Sequence, residues 1–309
     1  MKNRSLGPGD LVRVKTPLEI LETLDSNGAL DSLPFMPEMA EYSGQEFRVS
    51  KRILKTCISI GNSTTMRVFR TEDVFTLEGL RCSGAAHDGC QKGCMIFWRE
   101  AWLRKAQERP AQSVSAPDQQ TLRARLKTSI RPPAYFCQAS ELLQATLPLS
   151  RLGRLSGCVR DVRAGNCTAP EMVRRIAIWL YWRIRRILFG RYARGPNQAT
   201  PTESLHLQAA ELVEVKPIEG IIETLDANAH NRGLYFTPDM ALLCGRRQRV
   251  ERRLEKIIVD GTGEMRQMRN TVYLENSPCG CSHVALGGCP RGEFSYWREI
   301  WLRRPDNRS

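Results

Sequence analysis

Two short stretches hold most of the residues able to do chemistry. The first contains Cys82, His87, Cys90 and Cys94, separated by four, two and three residues. The second contains Cys279, Cys281, His283 and Cys289. Thiolates and imidazoles gathered this closely suit zinc, which takes four such donors in a tetrahedron. Gly84, Gly89 and Gly93 punctuate the first stretch and would let its backbone bend so that several side chains converge. Counting back from the tryptophan that follows each stretch, Cys289 takes the place of Cys90, Glu293 that of Cys94 and Leu286 that of His87. The second donor set is therefore rearranged, or has lost its metal. The competing reading is a reduced, partly buried thiol cluster, because free cysteine packs like a small apolar residue. Neither stretch has a Cys-x-x-Cys pair, which weakens a redox role.

The remaining thiols read as structural. Cys57 aligns with Ile258 and Cys244 with Ser43, so each has a counterpart without sulfur. Cys137, Cys158 and Cys167 lie in the middle of the chain with no histidine beside them. A nucleophilic role for any of them needs a base that folding brings close, and His206 and His230 are the other histidines available.

Each Cys/His stretch is carried by a module that occurs twice. Leu11-Val12-Arg13-Val14-Lys15 alternates as a strand does and matches Leu212 to Lys216. Ile20 to Asp25 matches Ile221 to Asp226, and Leu33 to Ala40 matches Leu234 to Ala241. Roughly 20 of about 45 positions are identical at one constant offset, which marks a duplication. Short alternating runs at Phe47–Ile53, Met66–Phe69 and Val74–Leu77, broken by turns, predict a small barrel or sandwich. Each copy closes on Trp98-Arg99-Glu100-x-Trp102-Leu103 or Trp297-Arg298-Glu299-x-Trp301-Leu302. Tryptophans are usually well buried, so these are expected to seal the core, with Arg and Glu paired beside them. The alternative is an exposed surface that grips a partner. Glu38 corresponds to Asp239, and these carboxylates are expected to cap a turn or to pair with Arg52 and Arg253.

The opening Gly9-Asp10-Leu11-Val12-Arg13-Val14 strand, the long first loop and the short strands that follow resemble the five-stranded barrels of the Src-homology-three type. The Trp-Arg-Glu-x-Trp-Leu ending also resembles that of a bacterial protein family. The resemblance implies an α+β, mostly β chain: two duplicated SH3-like β-barrel modules joined by a helical segment. Such barrels host many functions, so the resemblance does not choose one. The expected boundaries are a first module at 9–105, a linker at 106–134, a helical segment at 135–190, a linker at 191–208 and a second module at 209–305.

The helical segment has its own signature. Thr168-Ala169-Pro170-Glu171 is a helix start, with a capping threonine, an early proline and a glutamate three residues on. The helix is expected to run to about Phe189, before Gly190. Arg174, Arg175, Arg183, Arg185 and Arg186 flank an apolar stripe, and Trp179 and Trp182 widen it. Two readings stand: a helix packed between the modules with its arginines snorkelling outward, and an interfacial helix on an anionic bilayer.

The formal net charge of +13 would attract nucleic acid, an anionic membrane surface or an acidic protein. A nucleic-acid reader needs a basic patch on a recognisable motif, and none is found. The N-terminus has no apolar run after its basic residues, so a secretory signal is not expected. With 11 cysteines, an odd number, reduced thiols in the cytoplasm are expected, some of the protein sitting peripherally at the membrane. These readings favour a non-catalytic, zinc-stabilised interaction or scaffold protein. The rivals are a nucleic-acid-binding protein and an accessory metal-dependent enzyme of a biosynthetic pathway acting on an unidentified small molecule.

Overall fold

A computed structural model describes residues 5–60, 63–107, 114–190, 192–279, 281 and 283–305. It is an α+β chain with small antiparallel sheets and few helices. The chain divides into two units. Unit 1 comprises residues up to Arg174 together with Ile258–Arg266 and Cys289–Arg291. Unit 2 comprises Arg175–Ile257, Gln267–Gly288 and the chain from Gly292 onward. Two segments of the C-terminal half thus belong to unit 1, an arrangement that no local sequence pattern signals.

Unit 1 contains strands β1 (Leu11–Val14), β2 (Glu46–Arg52), β3 (Thr56–Ile60), β4 (Ser63–Phe69), β5 (Val74–Leu77), β6 (Trp98–Arg99), β7 (Leu103–Lys105) and β8 (Thr146–Pro148). Five of them form a sheet in the order β6-β5-β2-β1-β7. Its register places Val12 opposite Phe47 and Val74 opposite Arg99, with a bulge between Val49 and Lys51. Strands β3, β4 and β8 form a second sheet. Val12 and Val14 of β1 are buried, and Arg13 between them is buried too, paired with Glu46. Thr16 and Glu19 form a capping box that starts a one-turn helix at Pro17–Leu21.

The core closes around the tryptophans. Trp98 and Trp102 are fully buried, and Phe35 meets both edge-on at 6.1 and 5.1 Å. Such pairs add about 0.5–1.5 kcal/mol beyond burial. The Trp102 indole N–H donates to Thr23 Oγ1 at 3.0 Å, which satisfies the polar edge of a buried ring. Arg99 pairs with Asp73 rather than with the adjacent Glu100, which opens a one-turn 3-10 helix at Glu100–Trp102.

The segment expected to link the modules is partly helical. Helix α1 (Ala116–Arg125) starts at Ser115, whose side chain accepts from Asp118 N, and buries Leu122. Residues 108–113 and 191 of the two expected linkers lie outside the described residues. Helices α2 (Gln138–Ala145) and α3 (Arg151–Arg163) follow. Helix α4 (Ala169–Phe189) starts where expected, with Thr168 Oγ1 accepting from Glu171 N while Glu171 accepts from Thr168 N. Gly190, at φ +73°, ends it.

Unit 2 contains β9 (Leu212–Val215), β10 (Arg247–Arg253), β11 (Thr271–Leu274), β12 (Trp297–Arg298) and β13 (Leu302–Arg303), in the order β12-β11-β10-β9-β13. Thr271 faces Arg298, and a bulge falls between Val250 and Arg252. Trp297 and Trp301 are fully buried, and their indole N–H groups donate to Ser277 and Thr224 hydroxyls. Glu299 is fully buried and accepts the backbone N–H groups of Leu205, His206 and Leu207 as well as an Arg253 contact at 2.8 Å.

Candidate functional site

The loop from Cys82 to Cys94 is tied at its ends by Cys82 N donating to Cys94 O at 2.8 Å. Inside it Gly84 sits at φ +71°, and a Cβ there would lie 2.0 Å from Cys90 O. Only glycine allows the two limbs of the loop to approach this closely. The loop places both ring nitrogens of His87 against oxygen acceptors. Its Nδ1 lies 2.9 Å from Glu38 Oε1 and its Nε2 lies 3.0 Å from the Phe136 carbonyl oxygen. A carbonyl only accepts, so Nε2 carries a proton.

Burial opposes the charged form of both partners, yet the hydrogen bond and the opposite charge prevail: the His87 pKa is raised and the Glu38 pKa is lowered. Both ring nitrogens are engaged, so His87 leaves the expected zinc set in this conformation. Glu38 is also not the partner of Arg52, whose Nε donates to Glu72 O. In unit 2, Asp239 repeats the acid–imidazole pairing with His283 at 3.4 Å. The correspondence of Glu38 with Asp239 in the sequence could have pointed to this, had each acid been matched to a histidine.

Cys82, Cys90 and Cys94 line one small cavity in unit 1, joined by Cys137 at the start of α2. No three members of the Cys82, His87, Cys90 and Cys94 set bring their ligand atoms within 4.8 Å of one another. Burial raises the Cys82 thiol pKa far above its usual value, with the charges of Glu38 and Cys94 adding to it. Burial pushes Cys137 up to about 11. These groups are thiols, not thiolates, at neutral pH, and only the thiolate is an effective nucleophile. Cys90 Sγ accepts the Ile258 N–H at 3.3 Å, so it serves as a buried acceptor.

The second stretch behaves differently. Cys279 and Cys281 bring their sulfurs to 3.2 Å. Within unit 1, Cys57 and Cys289 bring their sulfurs within 4.8 Å of each other. The two thiols could serve as metal ligands. Cys289 and Cys281 were expected as ligands and Cys57 was not, because no spacing signal connects it to residues so far along the chain. His283 is turned to Asp239 instead.

A buried ion cluster stands beside Cys57 in unit 1. Asp260 accepts Arg291 at 2.7 and 2.9 Å and also pairs with Lys92, and all three side chains are almost wholly buried. Arg291 also donates to the Cys57 carbonyl oxygen at 2.8 Å.

Helix α4 presents the opposite character. Met172 is its one buried residue. Val173, Ala177, Leu180, Ile184, Ile187 and Leu188, at three- and four-residue spacing, are all exposed, Ile187 to 74% and the terminal Phe189 to 72%. The stripe is open to solvent. Arg174, Arg183 and Arg186 are exposed around it, while Arg175, Trp179, Trp182 and Arg185 are half-buried. Arg183 lies over Trp179 at 5.4 Å, and Arg185 over Trp182 at 5.7 Å and over Tyr192 at 4.8 Å. No helix among the described residues is long and apolar enough to cross a membrane. Comparison with known protein families, with curated proteins and with solved structures gives no match.

Proposed function

We propose that the chain is an interaction protein that docks on an anionic phospholipid surface through α4. The observation that carries this reading is the open stripe of large apolar side chains flanked by exposed arginines. From Val173 to Phe189 the stripe is about 24 Å long at 1.5 Å per residue. A patch of this kind on a water-facing surface calls for a partner. Its guanidinium groups and indole rings match a bilayer interface, where cations meet lipid phosphates and aromatics sit at headgroup depth. Helix α3 adds exposed Leu152, Leu155 and Val159 at the same kind of spacing, with Arg154 exposed beside them.

An interaction role is favoured over catalysis by the state of the first Cys/His loop. Its histidine has no free nitrogen, and its perturbed thiols are held protonated. Duplicated SH3-like barrels are the architecture that fits the repeat. The identical strand order of the two five-stranded sheets, with a bulge at matching positions of β2 and β10, supports that reading. Zinc is the metal we assign to Cys57 and Cys289 of unit 1, since thiolate donors favour it over oxygen-seeking cations.

Sedimentation with phosphatidylcholine vesicles, with and without phosphatidylserine, tests the docking reading. The protein is expected to pellet with the anionic vesicles and to stay in solution with the neutral ones. A concentration-dependent dimer with no vesicle binding would instead assign the stripe to a second copy of the chain.

A further inference from the structure

We propose that unit 2 carries a binding site for a phosphate-type oxyanion, built on Arg298 and Arg232, where unit 1 satisfies the equivalent guanidinium with two of its own carboxylates. In unit 1, Arg99 is fully buried. Its Nη1 donates to Asp73 Oδ1 at 2.6 Å, and its Nη2 lies 3.4 Å from the Asp31 carbonyl oxygen and 3.7 Å from the Asp31 carboxylate. In unit 2, Arg298 holds the same place: it faces Thr271 as Arg99 faces Val74. Its Nη1 donates to Arg269 O at 2.7 Å and to Thr271 Oγ1 at 2.9 Å, and its Nη2 donates to Arg232 O at 3.0 Å. Every one of these acceptors is neutral.

Both acids have been replaced. Asn270 stands for Asp73, since the carbonyl oxygens of both receive the following glutamate's N–H at 2.8 Å. Arg232 stands for Asp31: both sit in the left-handed region, at φ +45° and +48°, and both carbonyls receive the arginine Nη2. A site with one net negative charge in unit 1 thus becomes one with two positive charges in unit 2. Arg232 is exposed, and its side chain has no acid partner among the described residues. Burial and the charge of Arg232 both lower the Arg298 pKa, as expected of a cation without a counterion.

The surroundings suit a tetrahedral dianion. Thr202 Oγ1 accepts from Asn270 Nδ2 at 3.1 Å, and Thr200 Oγ1 accepts from Arg232 N at 2.9 Å. Each hydroxyl therefore keeps its own hydrogen to donate. Two guanidinium groups with hydroxyl donors beside them match the charge and the several oxygens of a phosphate. In unit 1 the equivalent carboxylates are 31% and 49% exposed, so this position lies at the surface, where a ligand can enter.

The test is thermal melting of the full chain in phosphate against chloride at matched ionic strength. The wild type is expected to show a saturable rise in melting temperature with phosphate. The Arg232→Asp/Asn270→Asp variant supplies the two carboxylates in the chain. It is expected to melt higher without phosphate and to lose the response. Arg266→Asp, an exposed charge change elsewhere, should keep it. Arg232→Gln, a single exposed change that does not disturb the core, should bind phosphate at least five-fold more weakly. An equal phosphate response in the wild type and in both Arg232 variants would overturn the site, as would no response in the wild type. A short-chain phosphatidic acid that binds more tightly than inorganic phosphate would identify a lipid headgroup as the source, and equal binding would identify free phosphate. Either supports the site, and binding of neither overturns it.

Discussion

Replacing Asp260 with alanine removes the carboxylate that two buried cations, Lys92 and Arg291, share. The Asp260 side chain is 1% exposed, Arg291 2% and Lys92 6%, so water cannot take over the lost interaction. Removing one partner of a buried ion cluster costs about 3–5 kcal/mol, because the remaining charge stays desolvated. Here the cost falls on unit 1, since Ile258–Arg266 and Cys289–Arg291 belong to it. With a urea slope of about 2 kcal/mol per molar, the midpoint of the unit 1 transition falls by about 2 M. Lys92→Met is milder, about 1–2 kcal/mol, because Asp260 keeps its two contacts with Arg291. The double variant should cost less than the sum of the two, the signature of a shared interaction. Burial by itself would raise the Asp260 pKa, but the charges of Arg291 and Lys92 drive it well below its ordinary value. A depressed carboxyl contributes stability that is present above the unfolded value, about 3.9, and is withdrawn as pH falls below it. The wild type should therefore lose more stability than Asp260→Ala between pH 4 and pH 2. An Asp260→Ala midpoint within about 0.3 M of the wild type would refute the reasoning, since the buried cations would then have found other compensation.

Three further outcomes follow from the geometry. The raised His87 pKa contributes stability fully present below its ordinary 6.5 and lost as pH rises through the folded value; the lowered Glu38 pKa contributes stability present above its ordinary 4.5 and lost in acid. Stability measured from pH 6.5 to 9 should therefore decline, and Glu38→Gln should flatten that decline. Cys82 and Cys137 should resist iodoacetamide at pH 8 in the folded chain and react on unfolding, as peptide mapping by mass spectrometry would show; rapid labelling of either in the native state would contradict their protonated state. Zinc should copurify with the wild type, fall with Cys289→Ser, and persist in His87→Ala, which separates the Cys57 and Cys289 thiols of unit 1 from the set expected in the first loop.

Much of the architecture is legible in the sequence because it rests on local signals. The strand at Leu11–Val14, the capping of α4 by Thr168 and Glu171, and the burial of the paired tryptophans all follow from residues close together in the chain. The chemistry is less legible because its partners are distant. Glu38 reaches His87, Asp260 reaches Lys92, and Cys57 meets Cys289 only after the chain has folded. A run of cysteines and a histidine reads as a metal site by spacing alone. Spacing does not show which way the imidazole faces, and a buried carboxylate captures it. The apolar stripe of α4 was equally ambiguous. Its period says that one face is distinct, not whether protein covers that face.

Helix α4 also offers the most direct measurement. The affinity of the full chain for vesicles containing phosphatidylserine should be compared between the wild type, Ile184→Asp/Ile187→Asp and Arg183→Glu/Arg186→Glu. All four positions are exposed, so the fold does not depend on them. Two buried aliphatic side chains are worth more than about 1.4 kcal/mol, so the aspartate pair should weaken binding by at least ten-fold. At about 1 kcal/mol for each basic residue near an anionic surface, the glutamate pair should weaken it by at least ten-fold and reduce its salt dependence. Equal binding of all three proteins, or no binding to anionic vesicles by the wild type, would contradict a lipid-docking role for the chain.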